Sequence, residues 1–100
     1  MIVRIVTMSF NEEDIPPFLN IFNEYKSQIR ASEGCTYLSL IQSTNSPNEI
    51  STLSHWKDET YLNNYRNSPV FKQVWPQTKL LFSSPPTAHS HHILTISDEF

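Results

Sequence analysis

Trp56, Tyr65, Phe71 and Trp75 are four of the five aromatic side chains in the stretch 56–75, where polar punctuation sets them at the end of a strand and on two helical segments. Rings brought together from separate elements can wall a small pocket, because a planar molecule stacks on their faces out of contact with water. Each ring also has a plainer reading, since aromatic residues at helical spacing arise in any amphipathic helix that packs on a core. Trp56 either walls the pocket and donates its indole N–H to a substrate oxygen, or is a core tryptophan whose N–H meets a backbone carbonyl. Tyr65 adds a hydroxyl that can orient a phenol, and Tyr25 is a weaker equivalent.

His55 adjoins Trp56 and has the titration range of a general base. Strand alternation turns the two side chains to opposite faces, so they make a poor catalytic pair. His55 is expected at the sheet surface or at a subunit contact. Arg4 sits on an otherwise apolar strand face, where a lone charge is costly, so it is expected to pair with a carboxylate or to reach an anionic ligand. His89 and His91 would share a strand face, yet with His92 and no nearby acid or cysteine they make a weak metal site and read as an exposed tail tract. Cys35 has no neighbouring histidine to activate it as a nucleophile.

The elements that position these residues follow from the pattern. Ile2 to Phe10 is apolar on both faces and reads as a central strand. Capping oxygens at Asn11 to Asp14, the early prolines Pro16 and Pro17, and apolar residues at helical spacing from Ile15 to Ile29 predict the first helix. Gly34 supplies the left-handed residue beyond its end. Thr36 to Thr44 and Glu49 to Lys57 then form a hairpin around Asn45-Ser-Pro-Asn48, with Ile50, Thr52, Ser54 and Trp56 on one face. Asp58 caps a helix bearing Tyr61, Leu62 and Tyr65, and Ser68-Pro69 restarts one bearing Phe71, Val74, Trp75 and Thr78, which Pro76 is expected to kink or break. Ser83-Ser-Pro-Pro86 reads as a linker, and Thr87 to Ser97 as the last strand. The order strand, helix, strand, strand, helix, strand is the ferredoxin-like split βαβ arrangement, an α+β fold with a four-stranded antiparallel sheet. Such a sheet leaves one face bare, and the apolar first strand suits that face to a second copy.

The 100 residues form one domain, taken as 1–97 with a short tail at 98–100. A chain of this size gains burial by self-association. Seven basic residues against 10 acidic ones give a formal charge of -3, no field for a nucleic-acid backbone. The single glycine excludes Gly-rich phosphate cradles, and with them the commonest nucleotide-cofactor motifs. One cysteine, no leader pattern at Met-Ile-Val-Arg-Ile-Val and no long apolar run lead to the expectation of a cytoplasmic protein with no membrane partner.

With its residues in this order, the chain resembles the antibiotic biosynthesis monooxygenase family. The resemblance runs from Met1 to about Pro86 and rests on the opening Met-Ile-Val-Arg-Ile-Val, the turn Glu33-Gly34-Cys35, the strand-ending Trp56 before Lys57-Asp-Glu, and Ser68-Pro-Val-Phe-Lys72. It implies a dimeric α/β barrel of two ferredoxin-like subunits. For relatives that oxygenate aromatic polyketides or quinols it implies no metal and no flavin, because the substrate itself supplies the electron to oxygen. The haem-degrading branch shares a tryptophan at Trp56. It also uses an asparagine on strand one and a histidine past the Phe-Lys block, whereas Ile2 to Phe10 holds no asparagine and Trp75 stands at the histidine's place. The expected function is a cofactor-independent monooxygenase for a small aromatic or quinol, with Trp56 and His55 as the catalytic candidates and Tyr65, Phe71, Trp75 and Arg4 binding substrate. The rival is a non-enzymatic dimeric module that binds a small ligand.

Overall fold

Ile2–Phe10, rich in β-branched residues and free of breakers, forms strand β1 in the computed structural model, which describes residues 1–97. The expected tail at 98–100 lies outside the described residues. After β1 come α1 (Ile15–Arg30), β2 (Cys35–Gln42), β3 (Glu49–Trp56), α2 (Glu59–Arg66), α3 (Pro69–Lys79) and β4 (Phe82–His92). All strand pairings are antiparallel, and the sheet order β2-β3-β1-β4 is the ferredoxin-like arrangement expected from the order of elements.

Register sorts the side chains into two faces, since successive residues of a strand point to opposite sides. Leu38, Ser54, Arg4 and Ser90 form one row across the sheet, and Leu40, Thr52, Val6 and Ala88 the next. This face lies under the helices. On the other face the rows are Tyr37, His55, Val3 and His91, then Ser39, Leu53, Ile5 and His89. His55 and Trp56 point apart, as their adjacency requires.

Helix ends follow the expected chemistry at α2 and α3. The Asp58 carboxylate accepts from the backbone N–H groups of Thr60 and Tyr61, and the Ser68 hydroxyl accepts from Phe71 N–H. At α1 the expectation needs correction: neither Asn11 nor Asp14 makes a side-chain cap, and a 3-10 turn at Glu12–Asp14 leads into the helix instead. Nor does Pro76 break α3, which continues to Lys79. Gly34, at φ 83°, turns the chain between α1 and β2, and a side chain there would overlap the ring of Tyr61.

The last strand also differs from its expected span. β4 begins at Phe82, takes in Pro85 and Pro86, and ends at His92, whereas Ile93–Ser97 is not strand. The two prolines fall where the register with β1 shifts, between the Thr7–Thr87 and Ser9–Ser84 pairs. A missing N–H is tolerated at such an irregularity on an edge strand, so proline punctuation here does not mark a linker. The same correction moves His89, His91 and His92 from a tail onto β4, where they remain exposed.

The interior between sheet and helices divides in two. Ile2, Cys35, Trp56 and Leu62 make one buried cluster, and Met8, Phe10, Phe18 and Ile50 the other.

Candidate functional site

Between those clusters lies a cavity of roughly 320 Å³, near the lower end of the roughly 300–1,000 Å³ typical of small-molecule sites. Its floor is the sheet rows through Arg4, Ser54 and Thr52, and its walls come from all three helices. Trp56, Tyr65, Phe71 and Trp75 all line it. They touch in sequence: Trp56 stacks on Tyr65 at 5.0 Å between ring centroids, Tyr65 meets Phe71 edge-on at 5.3 Å, and Phe71 stacks on Trp75 at 5.7 Å. Phe82, Phe10, Phe18 and Phe22 continue the chain of rings. Helical spacing produces this: Phe71 and Trp75 are one turn apart on α3, and Tyr65 stands three residues after the buried Leu62 on α2.

Trp56 is 1% exposed, and its indole N–H donates to the Ser54 hydroxyl at 2.9 Å. The partner is a side chain, not the backbone carbonyl or substrate oxygen that were the alternatives on sequence grounds. The indole is held in one orientation, and the polar group it leaves beside the cavity is the Ser54 hydroxyl. Tyr65 is pushed up to about 12, by burial first and by nearby Cys35 second, so it carries its proton at neutral pH. It serves as a neutral hydrogen-bonding hydroxyl and not as a phenolate base.

The polar end of the cavity is cationic. Arg4 and Arg66 both line it, and Arg4 Nη1 donates to Ser90 Oγ at 3.0 Å. Burial, and then the like charge of Arg66, pull the Arg4 guanidinium below its ordinary value. The ion pair expected for Arg4 is not found among the described residues, where the group acting on it is a second cation. Among the described residues, none that lines the cavity is an aspartate, glutamate, histidine or lysine.

His55 stands outside this cavity, across the sheet, with its ring 5.0 Å from that of Tyr37. Burial raises the Cys35 thiol above its ordinary value, and its Sγ donates to the Tyr37 carbonyl. Among the described residues no group of three or more histidines, cysteines or acids is placed to hold a metal. Thr52, Ser54 and Arg66 were not singled out as site residues from the sequence. Alternation along β3 puts the first two on the Trp56 face, and Arg66, four residues after buried Leu62, shares that residue's helix face.

One family model, described as antibiotic biosynthesis monooxygenase, matches residues 1–76. The chain belongs to the antibiotic biosynthesis monooxygenase family. The match contains Trp56, Tyr65, Phe71 and Trp75 and stops before β4, short of the Pro86 to which the resemblance was traced. Solved structures of this family share the fold closely at low identity. An antibiotic biosynthesis monooxygenase superposes with a TM-score of 0.87 at 17% identity, covering 95% of this chain and 100% of its own. For SnoaB, a cofactor-independent oxygenase from Streptomyces nogalater solved as a variant, the values are 0.84 and 11%, covering 98% and 97%. A conserved protein from Methanosarcina mazei Go1 gives 0.85 and 22%, covering 91% of each chain. No curated protein matches the chain. No helix among the described residues is long and apolar enough to cross a membrane.

Proposed function

We propose that this family member is a cofactor-independent monooxygenase that oxidises a small aromatic, polyketide-like or quinol substrate in the ring-lined cavity. The observation that carries the reading is the convergence of Trp56, Tyr65, Phe71 and Trp75 on one enclosed, mostly apolar space. Family membership and the likeness to a cofactor-independent oxygenase support it. Stacked rings hold a planar substrate in one orientation, which is the main service a protein renders when the substrate itself reduces dioxygen. For an anthrone, the reactive methylene becomes a carbonyl that keeps one oxygen atom, and the other leaves as water. Proton loss from the substrate goes to solvent, because the described residues lining the cavity offer no carboxylate, imidazole or amine, and the two guanidinium groups favour the substrate anion.

The test is oxygen uptake by the purified protein with a panel of anthrones and quinols, metal and flavin absent. Uptake with at least one anthrone, with quinone as product, is expected. Silence across the panel overturns the reading.

The absence of an acid–base pair among the described residues lining the cavity favours one second reading, a module that binds the same class of molecule without turnover. Ligand-dependent thermal stabilisation without oxygen uptake would establish it. In either case the working form is a homodimer joined through the helix-free sheet face, where Tyr37 and Ile41 are 47% and 45% exposed. Light scattering that returned the mass of one chain would overturn that assembly.

A further inference from the structure

We infer that Arg4 and Arg66 form a subsite for a carboxylate, so that the cavity's ligand is an aromatic acid whose rings lie against Trp56 and Tyr65 and whose carboxylate faces the two guanidinium groups. The inference rests on the reading of the cavity as a binding site for a planar molecule and names the class of that molecule.

Three observations carry it. Arg4 is half-buried on a strand face otherwise made of Ile2, Val6, Met8 and Phe10, yet of its five N–H donors only one is engaged by a described side chain, the Ser90 hydroxyl. Arg66, on a different element, lines the same cavity and bears the same charge. Two cations set together at an apolar cavity cost stability unless an anion joins them, and an anion there relieves both the repulsion and the lost hydration of Arg4. Finally, the charge is on the solvent side: Arg66 is exposed, whereas Trp56 is buried. A ligand entering rings first keeps its charged group beside the exposed Arg66, where it needs least desolvation.

A carboxylate suits the site better than a phenol. It is ionised at neutral pH without a base, which the described lining of the cavity lacks, and its two oxygens match the fork of a guanidinium.

The chain's two tryptophans both line the cavity, so fluorescence quenching reads its occupancy. The probes are 2-naphthoate and its uncharged isostere 2-naphthamide, titrated into the wild-type protein, Arg4→Gln and Arg66→Gln. Naphthoate is expected to bind about tenfold more tightly than naphthamide, a ratio that Arg4→Gln abolishes and added salt reduces. Arg66→Gln, at an exposed position that leaves folding intact, is expected to lower the ratio about threefold. Equal binding of the two probes by the wild-type protein overturns the carboxylate subsite and leaves the ring-lined cavity standing. If neither probe quenches, both readings fall.

Discussion

The two faces of the sheet are built from the same four strands and differ in what covers them. Under the helices, the rows through Arg4 and Val6 carry one charged group among apolar and small polar side chains, and they floor a cavity. On the far side, Val3, Ile5 and Leu53 run between His55, His89 and His91, and among the described residues no helix covers them. Aromatic mass is therefore concentrated on one side, where eight rings touch in sequence, while imidazoles gather on the other. The difference teaches that strand alternation alone separates the proposed ligand side of this sheet from the proposed assembly side. Adjacent residues such as His55 and Trp56 then face different surroundings.

The contrast can be broken most forcefully at Trp56. Trp56→Ala removes a fully buried ring that stacks on Tyr65, and is expected to cost about 3–5 kcal/mol in urea denaturation. Gly34→Ala comes next, at about 2–4 kcal/mol, because it combines a left-handed backbone with overlap against Tyr61 of α2. On the far face the expected effect is on assembly. Ile5→Glu places a charge in the middle of the proposed contact and should leave a folded single chain by light scattering, with the probe-binding cavity retained.

A smaller effect is a pH dependence that belongs to the helix-covered side. Tyr65 titrates near 10 when unfolded and near 12 when folded. The folded state therefore holds this proton more tightly, and its contribution is intact below pH 10 and lost as pH rises through about 12. Thermal unfolding midpoints should decline over that window, and Tyr65→Phe should flatten the decline. Smallest of all, His55→Ala is expected to change the stability of the single chain by no more than about 0.5 kcal/mol. A loss as large as that from Trp56→Ala would erase the distinction between the faces.

Much of this was legible in the residues. The order of elements, the Asp58 and Ser68 caps, the opposed directions of His55 and Trp56 and the turn at Gly34 follow from local rules that act over a few positions. What local rules missed depends on partners distant in sequence. β4 forms through Pro85 and Pro86 because Ile2–Phe10 offers it a ladder, and after a last backbone bond from Ile93 N–H to the Met1 carbonyl the β-branched Thr95 and Ile96 stay outside it. The site shows the same division. Four rings could be nominated from their spacing, but the cationic end of the cavity could not, since Arg4 on β1 and Arg66 on α2 are brought to one space only by the tertiary fold. Ser54, which takes the indole proton of Trp56, looked like one more polar residue of a strand.

Pro85 and Pro86 lie on β4, at the margin of the sheet, and neither has an amide hydrogen to offer to an approaching chain. A foreign strand laid along that margin would find its hydrogen-bond ladder interrupted midway, so lengthening of the sheet into a continuous ribbon is discouraged at that border. Growth at this boundary is thus self-limiting, which keeps a small protein with much uncovered β surface from polymerising by that route.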